Sequence, residues 1–127
     1  MEQVTSKTRI IRKLTPEIVE IHFFDNAVLT IESAIEDSRI YDEFTKKKRL
    51  KKLVIMGLYT KSDLDARKQI AIENGKKKHR VIAEAIVVKT PLIKVAVTFY
   101  QFFLKQQYPC KVFATREKAL EWLEDYK

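Results

Sequence analysis

The chain has 127 residues, the size of one ordinary domain, and its 46% hydrophobic content is that of a globular protein able to bury its own core, not of a disordered one. Its formal net charge of +8 is carried by two runs, Lys46, Lys47, Lys48, Arg49, Lys51 and Lys52, then Lys76, Lys77, Lys78 and Arg80, outside which the chain is slightly acidic. The chain is therefore not basic throughout, and any attraction to polyanions belongs to those two runs.

Thr8 to Leu14 and Glu17 to Phe24 flank Thr15-Pro16, a turn signal, and read as a β-hairpin. In its second strand Glu20, His22 and Phe24 alternate with Val19, Ile21 and Phe23, which predicts one wetter face. Thr30 to Phe44 reads as a helix capped by Thr30. Ile31, Ala34, Ile35, Ser38 and Tyr41 recur on one side, with Glu32, Glu36, Asp37 and Asp42 on the other. After the first basic run, Leu53 to Leu58 is a continuously apolar strand of the kind covered on both faces. Lys61 to Asn74 predicts a second helix, opened by Ser62 with Asp65 three residues on and stopped at Asn74-Gly75.

Val81 to Val88 is a further buried strand, rich in β-branched residues. Thr90-Pro91 opens a third helix, with Thr as cap and Pro at the first helical position, which runs to about Gln107. As far as Lys105 its only polar residues are Lys94, Thr98, Gln101 and Lys105, one narrow stripe, so it is apolar round more of its circumference than packing on one sheet requires. Phe99, Tyr100, Phe102 and Phe103 are therefore candidates for an interface or an apolar pocket, unless neighbouring helices cover them. The single cysteine, Cys110, excludes an intramolecular disulfide and reads as a structural thiol in a reducing compartment. Lys111 to Ala114 is a last strand, and Thr115 caps a final helix with Ala119, Leu120, Leu123 and Tyr126 on its apolar side.

The order ββαβαβαβα predicts a single α/β domain, with parallel inner strands joined by right-handed crossovers and an antiparallel hairpin at one side. Met1 to Arg12 lacks the apolar core of a leader, and Leu92 to Leu104 is too short and too charged to span a bilayer, so the expectation is a cytoplasmic protein.

Several stretches together resemble a known set. They are Val88-Lys89-Thr90-Pro91-Leu92, Phe102-Phe103-Leu104, Tyr108-Pro109-Cys110-Lys111-Val112-Phe113 and Glu117-Lys118-Ala119-Leu120-Glu121-Trp122-Leu123, with Ala66-Arg67-Lys68 in the second helix. From Leu29 to Leu123 the chain resembles uncharacterised bacterial proteins grouped with the STAS-like domains, the superfamily of anti-sigma-factor antagonists and of SEC14-like lipid carriers. The resemblance implies a four-helix, mixed-sheet domain that binds a protein partner or a small ligand and is not an enzyme. Antagonists of that kind are switched by phosphorylation of a serine between the central strand and a helix. The comparable stretch here is Tyr59 to Asp65, which makes Ser62 the candidate, although the flanking glycine is missing and Lys61 precedes it.

Two edges of such a sheet offer sites. Loops at the carboxyl ends of the strands bring together Thr60, Lys61 and Ser62, Lys89 and Thr90, and Thr115 and Arg116: three helix starts with a cation each, suited to an anion. The plainer reading is that Ser62, Thr90 and Thr115 are ordinary caps. The opposite edge should gather the two basic runs into one patch. No aromatics are interleaved with these lysines and no recognition motif accompanies them, so nucleic acid is not the expected partner. Catalytic patterns are absent from the sequence: His22 and His79 have no ligand-spaced companions, and two glycines cannot make a phosphate loop. No cofactor or metal is expected. The sequence points to a non-enzymatic module acting through a protein partner or homodimer, the alternative being a carrier or sensor of a small apolar or anionic molecule.

Overall fold

A computed structural model describes residues 2–91 and 108–126. Six strands form one mixed sheet in the order β1-β2-β3-β5-β7-β8: β1 Gln3–Thr5, β2 Arg9–Lys13, β3 Ile18–Phe23, β5 Leu50–Ile55, β7 Val81–Val87 and β8 Cys110–Phe113. The first three pair antiparallel, and β3, β5, β7 and β8 run parallel. A second, two-stranded sheet joins β4, Val28–Leu29, to β6, Lys61–Ser62, also in parallel. The described helices are α1 Ile31–Thr45, α2 Leu64–Lys76 and α3 Arg116–Asp125, with a 3₁₀ turn at Lys78–Arg80 before β7.

The hairpin, the parallel inner strands and the mixed sheet are as the sequence predicts. The predicted helix of residues 90–107 lies outside the described residues from Leu92 onward, and so do Phe99, Tyr100, Phe102 and Phe103; Pro91 is helical. Three short strands escape the sequence reading. The edge strand β1 buries no side chain, so it carries no hydrophobic signal, and β4 and β6 have two residues each.

Strand alternation sends side chains to opposite faces, and each face has its own core. Val19, Ile21 and Phe23 of β3, Val54 of β5 and Ile86 of β7 pack with Tyr41 of α1 on one side. Ile18, Leu53, Ile55, Ala83, Ala85 and Val87 pack with Ala119 and Leu123 of α3 on the other. Three consecutive strands therefore have both faces covered, and β5 is buried along its whole length. The small alanines of β7 let α3 approach closely, which is why Ala83, Ala85 and Leu123 are wholly buried.

Helix ends follow local chemistry. Thr30 and Ser33 form a reciprocal capping box on α1, each side chain accepting from the other's backbone N–H. Lys46 and Lys47, both with left-handed backbone, end α1. Thr115 caps α3 as predicted. The start of α2 differs from the sequence reading. Asp63, not Ser62, is its cap, accepting from the Ala66 N–H at 2.7 Å, because Ser62 is held in β6 by pairing with Leu29. The helix also runs past Asn74-Gly75 to Lys76.

The largest correction concerns the first basic run. The central strand begins at Leu50, not Leu53, so Lys51 and Lys52 are strand residues between β3 and β7. Being adjacent, they point to opposite faces, and both are buried.

Candidate functional site

At the carboxyl ends of the parallel strands, Ile55 lies beside Val87, and Val87 beside Phe113. The loops that follow therefore leave from neighbouring positions, as the sequence implies, but they do not make one cationic cradle. Arg116 turns to the sheet, where it forms a two-point ion pair with buried Glu20 at 2.8–2.9 Å, and Arg12 holds the other oxygen of Glu20 at 3.3 Å. Thr115 accepts from Lys118 N–H as a cap, and the Thr60 hydroxyl donates to the Gly57 carbonyl at 2.9 Å. Lys61 and Lys89 are exposed; Ser62 and Thr90 are half-buried. The predicted wet face of β3 thus holds Glu20, whose burial two arginines make tolerable.

The β5–β6 loop is drawn toward the β3–β4 loop. Asn26 N–H donates to the Leu58 carbonyl at 2.7 Å, and Leu58 N–H to Asp25 Oδ1 at 2.8 Å. Around this junction Phe24, Val28, Tyr59 and Leu64 are exposed, with Ile31 and Ile35 on the first turns of α1. Tyr59 is 70% exposed and has a left-handed backbone, φ 57°, which disfavours a residue with a Cβ. The sequence reading put Ile31 and Ile35 on the apolar side of α1, where the structure leaves them exposed, and passed over Val28 and Leu64, which form no motif.

His22 also lies near this edge. Burial and the neighbouring Lys89 lower its pKa. The unfolded chain then binds a proton near pH 6.5 that the folded chain refuses, so folding stability should fall as pH drops below about 6.5. Urea midpoints at pH 7 and pH 5.5 should show this decline, and His22→Gln should flatten it.

The predicted joint basic patch does not form as such. Lys46, Lys47, Lys48, Arg49 and Lys76 are exposed, and Lys78 and Arg80 half-buried, whereas Lys51, Lys52 and Lys77 are interior. The reason is that each interior lysine meets acceptors distant in sequence. Lys51 donates to the Leu123 carbonyl at 2.6 Å, a favourable place for a cation near the C-terminus of α3. Lys52 lies 3.2 Å from Glu84 of β7. A bulge in β7 puts Glu84 there: Leu50 faces Val81, yet Lys52 faces Glu84 rather than Ala83. Lys77 donates to the Ser38 carbonyl and to Asp42, both at 2.8 Å, and Arg80 pairs with Asp42 at 3.2 Å.

These groups meet around Tyr41. The Lys52 and Lys77 ammonium groups sit over its ring at 5.2 and 5.4 Å from the centroid. Asp37, predicted on the solvent side of α1, is instead buried; it accepts from the Thr8 hydroxyl, and its carbonyl accepts from Arg9 Nη2 at 3.0 Å. Burial raises the Tyr41 pKa against the opposing pull of Lys52, and lowers those of Lys77 and Arg9 against Asp42 and Asp37. Cys110, half-buried, donates to Glu84 Oε2 at 3.3 Å and so belongs to the same network.

No group of His, Cys, Asp and Glu among the described residues is placed to hold a metal ion, and no described helix is long and apolar enough to cross a membrane.

The fold has a solved counterpart. A protein of the DUF3478 family from Shewanella loihica PV-4, itself uncharacterised and described as having a SpoIIAA-like fold, superposes with a TM-score of 0.67 at 17% identity, over 91% of each chain. The mixed sheet and its helices are thus SpoIIAA-like, that is STAS-like, in architecture. No curated protein matches the chain. Over residues 13–127 the sequence matches the family described as Domain of unknown function (DUF7793), and the chain belongs to that family.

Proposed function

We propose that the protein is a non-catalytic regulatory module that docks a protein partner through the carboxyl edge of its sheet. The observation that carries this reading is the apolar surface at the β3–β4 and β5–β6 junction, where Val28, Leu64 and Tyr59 are 58%, 57% and 70% exposed. Apolar side chains gathered beside charged loops are what the core of a protein interface presents before its partner arrives. Tyr59 strengthens the reading: an exposed tyrosine in left-handed backbone serves no packing need, and strained residues of this kind concentrate at functional sites. Ser62, two residues beyond this loop's Thr60, lies at the same edge, and its modification would alter docking there.

The test is site-specific photo-crosslinking in the host cell, with a benzophenone side chain at position 59 and, as control, at exposed Glu121 on α3. A discrete adduct from position 59 alone is expected. An adduct of twice the chain mass identifies a second copy as the partner; any other mass identifies a different protein. No adduct, or the same products from both positions, contradicts the reading. Tyr59→Gly should abolish the adduct formed from a second probe at Val28. It should leave the fold unharmed or about 1 kcal/mol more stable, since glycine removes the backbone strain.

A further inference from the structure

On the face of the sheet under α1 and α2 lies a partly enclosed cavity of about 60 Å³. One water needs roughly 10–15 Å³ on this measure, so the space suits four or five non-hydrogen atoms. Phe23, Leu29 and Ile70 supply apolar wall; Arg9, Tyr41, Lys52 and Lys77 supply donors, and the carboxylates Asp37 and Glu73 line it too. Two atoms of these donors, Arg9 Nε and the Tyr41 hydroxyl, have no hydrogen-bond partner among the described residues. A guanidinium has five N–H groups. Among the described residues Arg9 makes one hydrogen bond, to the Asp37 carbonyl, and its buried Nε has no partner, Asp37 Oδ2 being 3.9 Å away. The Tyr41 hydroxyl, on a residue 4% exposed, likewise has no partner among the described residues. Lys52 has three N–H groups and one ion pair.

The two carboxylates of the lining are each engaged through one oxygen by donors of the protein. Asp37 accepts from Thr8, and Glu73 accepts from Gln69 and Lys76 at 2.9 and 3.1 Å. Buried donors without acceptors are costly, and a ligand that accepts without donating removes that cost. We propose that this cavity binds a small oxyanion, a carboxylate or phosphate group, through Arg9, Tyr41 and Lys52. This site is independent of the docking edge: it lies in the interior, and its residues are not those exposed around Tyr59.

The experiment is calorimetric titration at fixed ionic strength with inorganic phosphate, acetate and acetamide, the last being the neutral counterpart of acetate in shape. Three proteins are compared: the natural chain, Tyr41→Phe, and a surface control with Lys48→Gln and Arg49→Gln. Tyr41→Phe removes a hydroxyl that has no partner, so without anion its stability should equal or slightly exceed that of the natural chain. Saturable binding of phosphate or acetate is expected, weakened about tenfold by Tyr41→Phe and untouched in the surface control. The tighter of the two anions tells whether a phosphate or a carboxylate is the natural group. No saturable binding of either anion, equal binding of acetamide, or binding that Tyr41→Phe leaves unchanged overturns the proposal.

Discussion

Glu84→Gln is expected to destabilise the protein by about 3–5 kcal/mol, a large part of the stability of a domain this size. The substitution keeps the shape of the side chain and removes its charge. Lys52 then stands buried 3.2 Å from a neutral amide, in the middle of a six-stranded sheet, with its side chain 8% exposed. Lys52→Met should cost a comparable amount, by leaving Glu84, among the described residues, with the Cys110 thiol alone. The double variant Lys52→Met with Glu84→Gln removes both charges and should be more stable than either single variant, because neither desolvated ion remains unpaired. Urea unfolding of the four proteins checks the cycle. Additive losses would mean that the two groups do not interact.

Gly57→Ala is expected to cost about 2–3 kcal/mol, more than the loss of any exposed side chain. A Cβ at residue 57 would lie 2.3 Å from the carbonyl oxygen of Phe24 and 2.6 Å from its carbon. These are backbone atoms, so no side chain can swing aside. The end of β3 would have to retreat, against the hydrogen bonds that tie Asn26 and Asp25 to Leu58. Because the same junction presents Tyr59 and Val28, this variant should also lower crosslinking from position 59 at temperatures where the chain is still folded. A denaturation midpoint like that of the natural chain would show that the loops part easily.

What was legible in the sequence is what local pattern determines. The Thr15-Pro16 turn, the alternation in β3 and the β-branched run in β7 placed the hairpin and the parallel strands. The Thr30 and Thr115 caps lie where their chemistry puts them. What was not legible depends on partners far along the chain. Lys51 and Lys52 look like loop residues until Leu123, 72 residues on, and Glu84 supply acceptors. Asp37 looks solvated until Thr8 and Arg9 reach it from β2's side of the sheet. Ser62 looks like a cap until β4 captures it, a pairing of two residues that no periodicity announces. The candidate sites shifted for the same reason. Arg116 left the carboxyl edge for Glu20, and the cavity around Tyr41 is lined by residues read in the sequence as core, hairpin and lysine loop.

The anion site and the Lys52–Glu84 prediction both depend on the basic runs turning partly inward, with two of their lysines facing a cavity. The most direct measurement is nitrogen-15 NMR of the lysine side chains, since only ammonium groups shielded from water exchange slowly enough to be seen individually. Protected signals are expected from Lys51, Lys52 and Lys77, each identified by its loss in a single lysine variant. On adding the anion that binds, Lys52 and Lys77 should shift, while Lys51, on the opposite face against Leu123, stays still. If all lysine ammonium groups exchange as in open solution, the interior network is not there; if Lys51 moves as far as Lys52, the cavity is not where the anion sits.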